Sequence, residues 1–149
     1  MRQRLHQAQQ RLQELAPGVK WVPPSNFHIT LQFVGEGCPD EIETRMRRAV
    51  LGVGPMVLEL AGLGSFPRGA IWAGVKAPEA LAKMAHKLGY TANFHPHVTL
   101  GRARGRVDLV LDGDLEFGTS EVKEIVLMSS LLTAHGSIYS VQRRVALSL

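Results

Sequence analysis

The sequence contains a single cysteine, Cys38, in 149 residues. No disulfide can therefore form within the chain, and a zinc site built from several cysteines is excluded. The chain also lacks the apolar run of roughly 20 residues that a membrane helix needs. Its polar opening, Met1–Arg4, does not predict a signal peptide. These absences predict a cytoplasmic protein in which Cys38 is an ordinary loop thiol.

Aromatic residues are few, at 6%, and there is no long run of like charges and no low-complexity segment. Hydrophobic residues make up 45%, which is enough to form the core of one domain spanning residues 1–149. The formal net charge of +4 favours anionic partners such as nucleic acid. Many basic proteins bind no nucleic acid, so charge alone does not assign a function.

Hydrophobic periodicity predicts three helices and several short strands in mixed order. This order is typical of an α+β fold with antiparallel sheet. The predicted helices cover residues 2–15, 40–50 and 78–88, and the predicted strands cover 21–22, 27–34, 56–60, 70–75, 97–100, 121–129 and 138–147.

A tetrapeptide occurs twice, at a separation of 69 residues. Residues 28–31 are His-Ile-Thr-Leu, and residues 97–100 are His-Val-Thr-Leu. One His-x-Thr on a strand is usually no more than the polar face of a sheet. Two copies with the same flanking residues argue against chance, and their spacing of nearly half the chain suggests a duplicated unit.

The strand period gives each position of the repeat a chemical purpose. Residues i and i+2 of a strand point the same way, so each histidine shares a face with its threonine, while Ile29 and Val98 point into the core. If the two strands lie side by side, two imidazoles and two hydroxyls line one groove. A neutral and a protonated imidazole can take and give a proton, and hydroxyls can donate to phosphoryl oxygens. We therefore predict catalytic His28 and His97, with Thr30 and Thr99 binding phosphate.

A metal site is the alternative for these histidines. His95 and His97 are spaced for one strand face, and a zinc site would need a third ligand such as His28 or His86. No convincing ligand set is present, so we predict no metal and no cofactor. His95 is then expected to line the groove or face solvent.

Two aromatic residues could stack on an RNA base, as aromatic residues do in single-stranded RNA sites. Phe33 is in register with Ile29 and Leu31, which favours core packing for its ring. Tyr139 carries no such indication, and we keep it as a candidate for base stacking.

Several segments together resemble a known family. The chain is similar to the two-histidine (2H) phosphoesterase superfamily, specifically the bacterial LigT-like RNA 2′,3′-cyclic phosphodiesterases once called 2′-5′ RNA ligases. The two His motifs carry most of this resemblance, which runs over nearly the whole chain. The similar segments are Pro17–Val22, Asn26–Gly35, Phe66-Pro67, Ile71–Val75, Phe94–Arg102, Ser130 and Gly136–Tyr139.

The resemblance implies a bilobal fold, in which two pseudo-symmetric halves line a central groove with antiparallel sheets and carry helices outside. It implies hydrolysis of RNA 2′,3′-cyclic phosphate ends, or of 2′,3′-cyclic nucleotides, to 2′-phosphates. In this reaction His97 would be the base and His28 the acid. We expect the protein to be a monomer with no membrane partner. Two rivals remain: a 2′-5′ RNA ligase, and an RNA-end-binding module without turnover.

Arg102 matches a family arginine that follows the second motif, so the resemblance implies that it contacts phosphate. Simple strand alternation, however, places Arg102 on the face opposite to His97. Arg102 then reaches a phosphate only if the strand bends or ends first, and Arg104 has the same difficulty.

The family also implies a hydrophobic strand before the first helix. In this chain Met1 falls directly on the predicted helix, so we expect that strand to be missing. The first lobe should then have one strand fewer than the family implies, which leaves apolar surface or an open sheet edge there.

Overall fold

The computed structural model describes residues 1–149 and has the α+β organisation predicted from the sequence. Its three helices are α1 (Arg2–Leu15), α2 (Pro39–Ala49) and α3 (Glu79–Lys87). Its seven strands are β1 (Lys20–Trp21), β2 (Met56–Ser65), β3 (Ala70–Lys76), β4 (His97–Arg102), β5 (Glu116–Val122), β6 (Glu124–Thr133) and β7 (Gly136–Ala146).

The chain folds as two compact units. The first unit comprises residues 1–30, 58–76 and 95–120, and the second comprises residues 31–57, 77–94 and 121–149. Both His-x-Thr motifs therefore belong to the first unit.

The first unit is built on a sheet of strand order β1-β4-β3-β2-β5, in which β1, β4, β3 and β2 pair antiparallel to their neighbours. Helix α1 packs against β4 because its apolar residues recur at helical spacing and form one buried stripe. The buried side chains of this core include Leu5, Ala8 and Leu12 from the helix and Leu58, Leu60, Ile71, Ala73, Val98 and Leu100 from the sheet.

The second unit contains the β6–β7 hairpin with α2 and α3. Helix α2 contacts both strands and α3, and it buries Ile42, Met46 and Ala49. The helix begins at Pro39 with Cys38 as its N-cap, so Asp40 lies in the first turn and does not cap the helix. Cys38 itself is free and exposed.

The strand predicted for residues 27–34 is wrong beyond a single bridge, which joins Ile29 to Val98. A strand needs a partner for its backbone groups, and no strand pairs with the residues after Thr30. Core packing of Phe33 is accordingly wrong as well, because the side chain is 81% exposed. Alternation indicates the face a residue would take in a strand, but it cannot supply the neighbouring strand.

The start of the chain is helical from Arg2, and no strand precedes residue 15. Apolar side chains are exposed as a group on the second unit, where β6 and β7 form a sheet of two strands, and not on the first half, where the sequence had led us to expect them. The exposed apolar side chains of this hairpin are Met128, Leu131, Leu132, Ile138 and Val141. None of the helices is long and apolar enough to cross a membrane.

Candidate active site

The two His-x-Thr motifs lie side by side. The isolated bridge between Ile29 and Val98 is antiparallel, so the motifs run in opposite directions about this pair. Antiparallel register brings His28 opposite Thr99 and Thr30 opposite His97. Directly opposite residues share a face, so two imidazoles and two hydroxyls lie together on one face.

Both imidazoles are held in the same way. The Nδ1 atom of His28 lies 2.6 Å from the carbonyl oxygen of Asn26, and Nδ1 of His97 lies 2.7 Å from the carbonyl oxygen of His95. A carbonyl oxygen can only accept, so Nδ1 carries the hydrogen in both rings. Nε2 is therefore the atom of each ring that bears no hydrogen in the neutral form and can accept one.

The backbone before His28 is held by a short turn. A 3-10 helix spans Pro24–Asn26, and the amide of Phe27 donates to the carbonyl of Pro24 at 3.2 Å. The ring of Phe27 is buried, which anchors the segment in the core of the first unit. Arg2 of α1 donates to the carbonyl of Phe27 at 3.5 Å. The position of His28 therefore depends on the helix as well as on the bridge.

Arg102 lies on the same face as His97 and Thr99, which corrects the alternation argument. Along β3, the alternate residues Gly74, Trp72 and Ala70 pair with His97, Thr99 and Arg102, respectively. The register shifts between the last two pairs because β4 holds one extra residue there. Such a bulge keeps a following side chain on the original face. We call the face that carries His97, Thr99 and Arg102 the site face.

A buried glutamine of α1 binds the strand at the extra residue. Leu100 and Gly101 are both buried, and only Gly101 has a partner on β3. The side chain of Gln9 is 1% exposed and donates from Nε2 to the carbonyls of Leu100, at 2.9 Å, and Val22, at 2.6 Å. The amide of Val22 donates to the same Leu100 carbonyl at 2.9 Å. Gln9 therefore stabilises the bulge that precedes Arg102.

Aromatic rings border His97 on the site face, and sequence reasoning missed their role. The ring of Phe66 meets His97 edge-on at 5.0 Å between centroids, and Trp72 meets His95 at 4.8 Å. Trp72 lies over Gly64, its partner on β2, where a Cβ would come within 2.4 Å of the indole. The arrangement could be recognised only from the pairing of Trp72 with Gly64 and Thr99. That pairing is not visible in the sequence, because it depends on the strand register.

The electrostatic environment of His97 favours its neutral form. Burial lowers the pKa of His97 below its ordinary value of 6.5, and the hydrogen bond to the His95 carbonyl opposes this change. The positive charges of His95, Arg102 and His28 each lower the pKa further. His97 is therefore well suited to accept a proton near neutral pH.

The alternative in which these histidines bind a metal ion finds no set of ligands in the structure. No group of three or more His, Cys, Asp or Glu side chains is placed to hold a metal ion. His86, one of the two candidate third ligands, lies on α3 in the second unit, and its Nδ1 is 2.7 Å from the carbonyl oxygen of Tyr90.

Tyr139 lies on β7 in the second unit, where it is half-buried and pairs with Ser130. Its stacking on a base stays a prediction, as do the phosphate contacts of Thr30, Thr99 and Arg102.

Comparison with known proteins places this geometry in a family. The family described as LigT-like phosphoesterase matches residues 1–72. The RNA 2′,3′-cyclic phosphodiesterase of Aeropyrum pernix is 36% identical over an alignment 144 positions long, gaps included, which covers 81% of this chain and 82% of the relative. The chain belongs to the LigT-like phosphoesterases of the 2H superfamily.

Solved structures show the same fold. A crystal structure of a Thermus thermophilus protein superimposes with a TM-score of 0.82 at 26% identity, covering 98% of this chain and 91% of the other. Escherichia coli LigT in complex with phosphate superimposes with a TM-score of 0.76 at 27% identity, covering 99% of this chain and 90% of the other. The family resemblance found in the sequence is thus confirmed.

Proposed function

We propose that this chain is an RNA 2′,3′-cyclic phosphodiesterase, a hydrolase that opens a cyclic phosphate to a 2′-phosphate with His28 and His97 as its acid–base pair. The observation that carries the proposal is the Ile29–Val98 bridge, because it joins two His-x-Thr motifs into one set of four polar side chains. The relative from Aeropyrum pernix bears the same functional name.

The two imidazoles carry out the two proton transfers of the reaction. His97 Nε2 takes a proton from water, whose oxygen then bonds to phosphorus as the bond from phosphorus to the 3′ oxygen breaks. His28 gives a proton to the departing 3′ oxygen, so charge balances at both ends. Attack and departure lie in line, on opposite sides of phosphorus, which suits two motifs that run in opposite directions. Thr30, Thr99 and Arg102 stabilise the negative charge on the non-bridging oxygens.

The assignment of His97 as the base is supported by its environment. Burial and three neighbouring positive charges lower the pKa of His97, so a larger fraction of this ring is neutral and able to accept a proton. The acid is then provided by His28.

The test is turnover of a 2′,3′-cyclic mononucleotide. Purified protein should convert 2′,3′-cyclic AMP to 2′-AMP, separated from 3′-AMP by chromatography, and should do so in excess EDTA. His28→Ala and His97→Ala should each lower the rate by about 10²–10⁴-fold. His86→Ala, which removes an exposed histidine of α3, is the matched control and should leave the rate unchanged.

Other outcomes would favour the rival functions. Binding of cyclic-phosphate RNA without product would identify a binding module. Joining of RNA ends at a rate above that of hydrolysis would identify a ligase, although the sequence carries no nucleotide-activation motif. Loss of activity in EDTA, with recovery on adding zinc, would overturn the metal-free mechanism.

The proposed enzyme acts as a monomer in the cytoplasm. One chain supplies both His-x-Thr motifs within its first unit, so no second chain is needed to complete the set. The free thiol of Cys38 suits a reducing compartment. Light scattering at the assay concentration should give the mass of one chain, 16.3 kDa, and a mass of twice this value would contradict the proposal.

A further inference from the structure

A third imidazole, that of His95, lies beside the pair that carries the proposed reaction. Its ring centroid is 6.0 Å from the ring centroid of His97, and the backbone carbonyl of His95 accepts the hydrogen of His97 Nδ1. The side chain is exposed, so its ring can exchange a proton with water. The proton transfers proposed above use His28 and His97 and leave this third ring without a role.

Two aromatic rings hold the imidazole of His95 close to His97. Trp72 meets it edge-on at 4.8 Å between centroids, and Phe66 meets it edge-on at 5.5 Å. Edge-to-face contacts at such distances are a favourable arrangement for aromatic rings. Phe66 and Trp72 also contact each other, with centroids 5.4 Å apart, and each contacts His97. The ring of His95 therefore keeps a defined position beside His97 although its side chain is exposed.

The backbone of His95 is restrained as well. Pro96 follows it, and a residue that precedes proline is biased towards extended conformations. The carbonyl of Pro96 accepts from the amide of Val75 on β3 at 3.2 Å, which ties this segment to the sheet. Both the ring and the carbonyl of His95 are therefore held in place relative to His97.

The charge of His95 differs in kind from the other charges that act on His97. The groups whose positive charge lowers the pKa of His97 are His95, Arg102 and His28, and no carboxylate is among the groups that act on it. Arginine stays charged over the whole working range of pH, and His28 takes part in the proposed reaction. The contacting rings of Phe66 and Trp72 carry no charge. His95 is thus the one neighbour outside the reaction whose charge appears as the pH falls.

We propose that His95 is a positioning residue for His97: as the pH falls, its clamped imidazole takes up a proton, and the resulting charge keeps His97 in the neutral form that accepts a proton from water. The proposal rests on the function proposed above. His95 acts only through His97 in this scheme. Its effect is to extend turnover further into the acidic range than a neutral side chain at position 95 would allow.

The experiment compares pH profiles of kcat/KM for 2′,3′-cyclic AMP. His95→Gln removes the charge, which should raise the pKa of His97 and move the acidic limb to higher pH. On that limb kcat/KM should fall roughly threefold below wild type, the effect of one unit charge at 6.0 Å in water, while the plateau stays unchanged. His95→Arg keeps a positive charge at every pH and should leave the limb at the wild-type position or at lower pH. His86→Gln, which removes an exposed histidine of α3, is the matched control.

A second measurement needs no turnover. NMR titration of the imidazole signals should show a higher pKa for His97 in His95→Gln and no increase in His95→Arg. An unchanged titration of His97 in His95→Gln would overturn the role of His95 whether or not the protein is a phosphodiesterase. Equal losses of kcat/KM in both variants at every pH would also overturn it, because they would indicate a structural role or a substrate contact. If wild type hydrolyses no cyclic phosphate, the proposed function fails, and the NMR titration then decides on His95 alone.

Discussion

Replacing Gln9 by leucine tests whether the bulge in β4 is held from helix α1. The side chain is almost fully buried and donates to the carbonyls of Val22 and Leu100, while His6 Nδ1 lies 3.0 Å from its Oε1. Leucine has a similar size but can form none of these hydrogen bonds. The carbonyl of Leu100 would keep the amide of Val22 as a partner, whereas the carbonyl of Val22 would lose its bond from Gln9.

The size of the effect follows from these contacts. Each lost hydrogen bond contributes about 0.5–1.5 kcal/mol, and the loss of this donor from the half-buried carbonyl of Val22 costs less than the about 1–3 kcal/mol of a fully buried one. Added apolar burial of leucine offsets part of this loss, so we expect Gln9→Leu to lower the free energy of unfolding by about 2 kcal/mol. For a chain of this length that corresponds to a fall in Tm of about 4–8 °C.

The assay combines thermal unfolding with a pH profile of kcat/KM. If Gln9 holds the bulge, the variant should also let Arg102 move away from His97. The pKa of His97 should then rise, because a positive charge that lowers it is removed. The acidic limb of the profile should move to higher pH. Gln13→Leu, at an exposed position of the same helix, should change neither quantity. A lower Tm with an unchanged profile would refute the link to the site, and an unchanged Tm would refute the hydrogen-bond argument.

Three further predictions address the site directly. Arg102→Ala should move the acidic limb of kcat/KM to higher pH, since loss of its charge raises the pKa of His97, and a shift to lower pH would contradict this sign. Gly64→Ala should lower the free energy of unfolding, measured with denaturant, by about 1–3 kcal/mol and should reduce activity, because the new Cβ would lie 2.4 Å from the indole of Trp72. An unchanged free energy of unfolding would show that the indole moves freely. With sulfur in place of the bridging 3′ oxygen, His28→Ala should recover much of its lost rate and His97→Ala should not, because thiolate leaves without an acid. The reverse pattern would exchange the two roles.

The sequence predicted those parts of the fold that depend on local periodicity. The first helix was predicted at residues 2–15 and spans Arg2–Leu15, because Leu5, Ala8 and Leu12 form its buried stripe. The strand predicted at 97–100 extends to Arg102. In contrast, β5 was missed, because its seven residues bury only Phe117 and show no strong alternation. Residues 27–34 alternate well yet form only one bridge. Pairing is a property of two segments, and the pattern of one segment does not contain it.

The two motifs are almost identical in sequence, and the structure shows what distinguishes their histidines. About the Ile29–Val98 bridge the motifs are related by an approximate two-fold axis, and each imidazole donates to the carbonyl two residues before it. Beyond the bridge this equivalence ends. The strand that carries His97 continues through a bulge that returns Arg102 to the site face, whereas no strand continues beyond Thr30. A positive side chain therefore follows only the second motif on this face, where it lowers the pKa of His97. The proposed division of roles between the two histidines thus rests on the residues that follow each motif, because these residues differ in their pairing.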